Sequence, residues 1–87
     1  MKEIYKIAHN YSIYNKDLLK KSGICGCFYC CSLFEYDSIE EWIDGEPDPT
    51  ALCPNCSIDS IISRNDTYTL SVDFLEKMRA VWFWPIG

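Results

Sequence analysis

Two C-x₂-C pairs, Cys27-Phe28-Tyr29-Cys30 and Cys53-Pro54-Asn55-Cys56, stand 22 residues apart in the chain. A C-x₂-C turn places two sulfurs on one side of a point, and two such turns facing each other complete a tetrahedron of thiolates. Zn²⁺ favours that shell, with metal–sulfur bonds of about 2.3 Å. The spacing therefore assigns Cys27, Cys30, Cys53 and Cys56 as ligands of a zinc ion, although the gap slightly exceeds the usual 15–20 residues between such pairs. Pro54 pre-sets the second turn by fixing φ near −65° and removing one N–H, which leaves the following amides to point at sulfur. The position after the second cysteine of such a turn tends to positive φ and is usually Gly. Cys31 and Ser57 stand there instead, at a cost of about 1 kcal/mol each.

Other chemistries for these cysteines are weaker. A three-disulfide framework needs an oxidising compartment, and the start MKEIYKIAHNYS has no apolar stretch of the secretory kind. A redox dithiol wants one C-x-x-C opening a helix in a βαβ frame, whereas this chain has two. Cys25 and Cys31 remain over, either as a pair of small buried hydrophobes near the metal or for ligand swapping or redox sensing. His9, the single histidine, lies 18 residues before Cys27 and is a poor fifth candidate for ligation. A closed Cys₄ shell leaves no open position for water, and no GxSxG, Walker A or GxGxxG motif is present, so the chain reads as non-enzymatic.

Several short elements must position these turns. Asn15 is placed to cap a helix running to Lys20-Lys21, with Gly23 closing it. Residues 1–10 read as an irregular or short extended arm. Ser32–Glu35 suits a strand, and Ser38-Ile39-Glu40-Glu41 has the form of a capping box, predicting one or two helical turns over Ile39–Asp44 with Trp42 and Ile43 turned inward. Gly45–Pro49 is a loop, and Thr50–Leu52 reads as a strand entering the second turn. Ser57–Ser63 fits helix or strand equally. Ser71 caps a helix of about 72–83, with Val72, Leu75, Met78 and Trp82 on one stripe and Pro85 ending it. The expected fold is α+β: one zinc-stabilised domain over 1–87, with a zinc-ribbon or treble-clef-like core of about 25–63 and flanking N- and C-terminal helices. At 87 residues such a domain gains greatly from a metal staple.

Charge bears on partners. Residues 1–21 carry net +3, residues 22–63 carry eight acids and no Lys or Arg, and residues 64–87 are balanced, giving −5 overall. Nucleic-acid-binding zinc ribbons surround their metal with basic side chains, so this surface argues against DNA or RNA. The acidic run from Glu35 to Asp48 suits either solvation or docking to a basic protein. The aromatic end Trp82-Phe83-Trp84-Pro85-Ile86 suits core packing, a partner contact or a homodimer. No apolar run approaches the ~20 residues of a membrane helix.

The phrases Cys25-Gly26-Cys27-Phe28-Tyr29-Cys30, Ile39-Glu40-Glu41-Trp42-Ile43-Asp44, Thr50-Ala51-Leu52-Cys53-Pro54-Asn55-Cys56, Ile58-Asp59-Ser60-Ile61-Ile62 and Phe74-Leu75-Glu76-Lys77-Met78 resemble those of a family of small bacterial cytoplasmic proteins. Its members carry no assigned activity, so the resemblance implies a fold and a compartment but no reaction. The family tends to read CGxDS after the proline turn, where this chain has Ser57. The sequence thus points to a cytoplasmic, zinc-binding interaction or regulatory module, an acidic inhibitor encoded by host or phage being one special case. A nucleic-acid-associated zinc ribbon and a thiol redox sensor are the alternatives.

Overall fold

The computed structural model describes residues 3–83. Among them are three helices, α1 (Glu3–Asn10), α2 (Lys16–Ser22) and α3 (Val72–Phe83), and five short strands, β1 (Ile24–Cys27), β2 (Leu33–Glu35), β3 (Trp42–Ile43), β4 (Thr50–Ala51) and β5 (Ile61–Ser63). The strands form two antiparallel sheets, one ordered β2-β1-β5 and the other pairing β3 with β4. The expected α+β class is therefore observed.

The larger sheet is covered on both faces. Cys25, Cys27 and Ile61 join one apolar cluster with Leu19, Ile39, Ala51 and Cys53. Ile62 turns the other way, into a cluster with Ala8 of α1, Leu75 and Met78 of α3, Tyr68 from the segment before α3, and Phe28 from the first C-x₂-C turn. Successive strand residues point to opposite faces, so a strand buried on both reads as an unbroken apolar run. That is why Ile61-Ile62 had no diagnostic period in the sequence. Gly26 sits where Leu70 and Leu75 press on β1; a Cβ there would lie 3.0 Å from a methyl of each.

Three expectations need correction. Residues 3–10 are helical: Ile4, Ile7, Ala8 and Tyr11 recur at helical spacing, and Ala8 is fully buried while Ile4, Tyr5 and Tyr11 pack on the same cluster. Residues 39–44 are extended, because the hydroxyl of Ser38 turns back to the Glu35 carbonyl (2.7 Å) at the end of a 3₁₀ turn over Tyr36–Ser38. Trp42 and Ile43 then obey strand alternation: Trp42 packs near Tyr36 and beneath the Lys16 ammonium, and Ile43 is exposed. Val72 is also exposed; it begins α3, and its side chain leans N-terminally past the core that Leu75 and Met78 fill. Ser71 does cap this helix, accepting the Phe74 N–H at 3.1 Å. The segment 84–86 of the aromatic end, including the stop at Pro85, lies outside the described residues.

Asn15 occupies the N-cap position of α2 but makes no capping bond. Its side chain is fully buried and joins three elements, donating to the carbonyls of Tyr11 (2.9 Å) and Ile61 (2.8 Å) and accepting from the Ala51 N–H (3.1 Å). Asp48 takes over the cap, its carboxylate accepting the Asp17 N–H at 2.7 Å. An Asn-to-Asp change is nearly neutral at a cap. Here it sets a carboxylate against two carbonyl oxygens. Asn15→Asp and Asn15→Ala are both expected to lose about 3 kcal/mol in urea unfolding. A loss near 1 kcal/mol for Ala and none for Asp would restore the simple capping role.

Candidate metal centre

The two C-x₂-C turns are built alike. In the first, Cys27 N–H donates to the Ser32 carbonyl at 3.0 Å; in the second, Cys53 N–H donates to the Ile58 carbonyl at 3.0 Å. Each loop closes across the same number of residues. Each also places a positive φ after its second cysteine, 61° at Cys31 and 65° at Ser57. β1 delivers the first turn and β2 leaves it, while β4 and β5 flank the second. Both ligand pairs thus sit on turns tied to sheet, and neither opens a helix.

The turns face each other. The Sγ atoms of Cys27, Cys30, Cys53 and Cys56 all lie within 4.8 Å of one another, a group that could hold a metal ion. Cys27 and Cys56 are 3.6 Å apart and Cys30 and Cys53 3.7 Å. A disulfide would need about 2.05 Å. Four sulfurs at about 2.3 Å from a common centre stand about 3.8 Å apart along the edges of their tetrahedron, so the observed separations suit a shared cation.

Hydrogen bonds converge on the sulfurs. Tyr29 N–H points at Cys27 Sγ and Asn55 N–H at Cys53 Sγ, each at 3.4 Å, in equivalent places of the two turns. Backbone bonds from Ser32 to Cys30 and from Ile58 to Cys56 repeat the correspondence. Two hydroxyls join them, Ser60 at 3.1 Å from Cys27 and Ser32 at 3.0 Å from Cys30. Ser60 arrives from the approach to β5, and no local spacing in the sequence foretold it. Burial pushes the Cys27 thiol far up and Cys56 to about 11. At Cys30 burial also works upward, but the hydroxyl and backbone of Ser32, with the Cys53 and Cys27 sulfurs, outweigh it and bring the thiol down to about 7.

The remaining candidates are elsewhere. Cys25 is fully buried in β1 opposite Phe34 and Ser63, and burial pushes its thiol up to about 12, the environment of an inert core residue. Cys31 is half-buried and its thiol is raised by burial, with Arg79 opposing. His9 is outside the sulfur group; its ring lies 4.0 Å from that of Trp82.

Comparison of the chain with protein-family models, with curated proteins and with solved structures finds no match. The site must be read from its own geometry. Ser57 carries the left-handed strain of the second turn, and its N–H, donated to the Cys53 carbonyl at 2.9 Å, does not depend on its side chain. Ser57→Gly is expected to raise stability by about 1 kcal/mol, roughly 4–8 °C in a melt of a domain this small. An unchanged or lower melting temperature would show that the turn is not strained.

Proposed function

We propose that this chain is a non-enzymatic, cytoplasmic protein-interaction module whose zinc-ribbon core is held by Zn²⁺ on Cys27, Cys30, Cys53 and Cys56. The single observation that carries the reading is the group of four sulfurs within 4.8 Å of one another, with equivalent N–H···S bonds from its two turns. Four thiolates suit zinc, which has no geometric preference of its own to oppose a tetrahedron, and the protein fills every position of that shell. Zinc bound there neutralises the thiolates, including those of Cys27 and Cys56, whose thiols burial pushes up, and contributes on the order of 10 kcal/mol to folding. A ribbon accounts for both ligand pairs better than a treble clef, whose second pair belongs to a helix start; here that pair leads into β5.

Interaction is the purpose that the surface supports. Glu35, Asp37, Glu40, Glu41, Asp44 and Glu46 are exposed, and the ion pairs among the described residues, Lys21–Asp17 and Lys77–Asp73, engage none of them. Such a face repels phosphate and attracts a basic protein.

Protein expressed with ordinary metal supply should contain one equivalent of zinc by elemental analysis. Cys53→Ser should be metal-poor and unfolded. Retention of a full equivalent and a native melt by that variant would remove Cys53 from the ligand set. For the surface, the triple variant Glu40→Lys, Glu41→Lys, Asp44→Lys should keep its zinc and its melting temperature but lose the proteins that the unaltered chain retains from its host at low salt. Identical retention would exclude the acidic face as the docking surface.

The pH dependence has a definite sign. Unfolded thiols ionise near 8.5, while the zinc-loaded native state holds them as thiolates at lower pH. The unfolded state therefore binds more protons below about pH 8, and stability rises with pH. The melting temperature of the loaded protein is expected to fall steadily from pH 8 to pH 5, with zinc released at the acid end. A flat profile would contradict thiolate ligation.

A further inference from the structure

A cleft of about 390 Å³ lies between the ends of α1 and α3, with Ser60 in its lining. His9, Phe28, Trp82 and Phe83 line it together with Asp59. The ring centroids lie close: Phe28 is 5.9 Å from His9 and 5.7 Å from Phe83, and His9 is 4.0 Å from Trp82 with the two planes tilted by 32°. Phe28 and Ser60, each 2% exposed, form a fixed floor. Asp59 is exposed, and no ion pair among the described residues engages it. No Lys or Arg lines the cleft.

Aromatic rings beside one exposed carboxylate, with no Lys or Arg in the lining, are complementary to a flat cation. A guanidinium meets both demands, because it is weakly hydrated, stacks on rings and forks onto a carboxylate. A lysine ammonium is a more strongly hydrated point charge and uses the ring faces less well. The volume suits one long side chain. We propose that this cleft receives an arginine side chain presented by a protein partner. The inference rests on the protein-docking reading above and gives that partner an anchoring residue.

The cleft is also joined to the metal centre. The Ser60 hydroxyl lies 3.1 Å from Cys27 Sγ, and its carbonyl accepts the Phe28 N–H at 3.0 Å. An occupant resting on Phe28 therefore acts on the same residue that hydrogen-bonds a ligand sulfur.

The test uses the full zinc-loaded chain and the peptide acetyl-Gly-Arg-Gly-amide, followed by NMR of the His9, Phe28 and Trp82 signals. The same peptide with citrulline, which keeps the shape and removes the charge, is the control. The arginine peptide should produce saturable shifts with a dissociation constant in the millimolar range or tighter. The citrulline peptide should bind about tenfold more weakly or worse, and Asp59→Asn, an exposed substitution, should weaken the arginine peptide by a similar factor. Equal binding of the two peptides, indifference to Asp59→Asn, or no shift at ~10 mM peptide would each overturn the proposal. Failure of the peptide test in zinc-loaded protein leaves the zinc analysis and the result of the Glu40/Glu41/Asp44 variant untouched, so the module reading can stand while the arginine site falls.

Discussion

Four sulfurs held within 4.8 Å of one another, two pairs of them at 3.6 and 3.7 Å, are the constraint on which the rest of this structure depends. As thiolates they repel, and as thiols they lose little by separating. A divalent cation at their centre reverses the balance, and the two turns then become a cross-link between chain segments more than twenty residues apart. The short strands would gain from such a cross-link. None of the five exceeds four residues, so hydrogen-bonded ladders alone give little cooperativity, and the apolar clusters on either face of β1 are each small.

Within that frame, polar groups do work usually left to the core. Asn15 ties α2 to the loop after α1, to β4 and to β5 through three buried hydrogen bonds. Asp48 caps α2 from a loop more than thirty residues away. Tyr68, buried and donating to the Ser63 carbonyl, stacks flat on Phe74 at 4.8 Å and so fixes the entry to α3. In a chain too small for a single deep core, such bonds set the relative positions of elements that burial alone would leave loose.

Much of this was legible in the sequence wherever the signal was local. The grouping of the four cysteines followed from spacing, the left-handed turns at Cys31 and Ser57 from the position after each second cysteine, and the ends of α2 and α3 from Gly23 and Ser71. Non-local partners escaped. Asn15 resembles a cap from its neighbours and became a cross-link through Ile61 and Ala51. The capping box at Ser38 was available but lost to pairing of β3 with β4. Ser60 reached Cys27 only because β5 returns beside β1. α1 had a readable helical period, hidden by its polar residues.

The two turns match in hydrogen bonding but not in exposure: Cys27 and Cys53, the first cysteine of each, are buried, while Cys30 and Cys56 reach the surface. A bound ion would thus have a closed back and an open front. Metal exchange, whether to a chelator or to another protein's thiols, must begin by detaching Cys30 or Cys56, with the inner pair released last. The rate of metal loss would then be governed by two rim sulfurs, one of which, Cys30, has its thiol brought down to about 7 where those of Cys27 and Cys56 are pushed up.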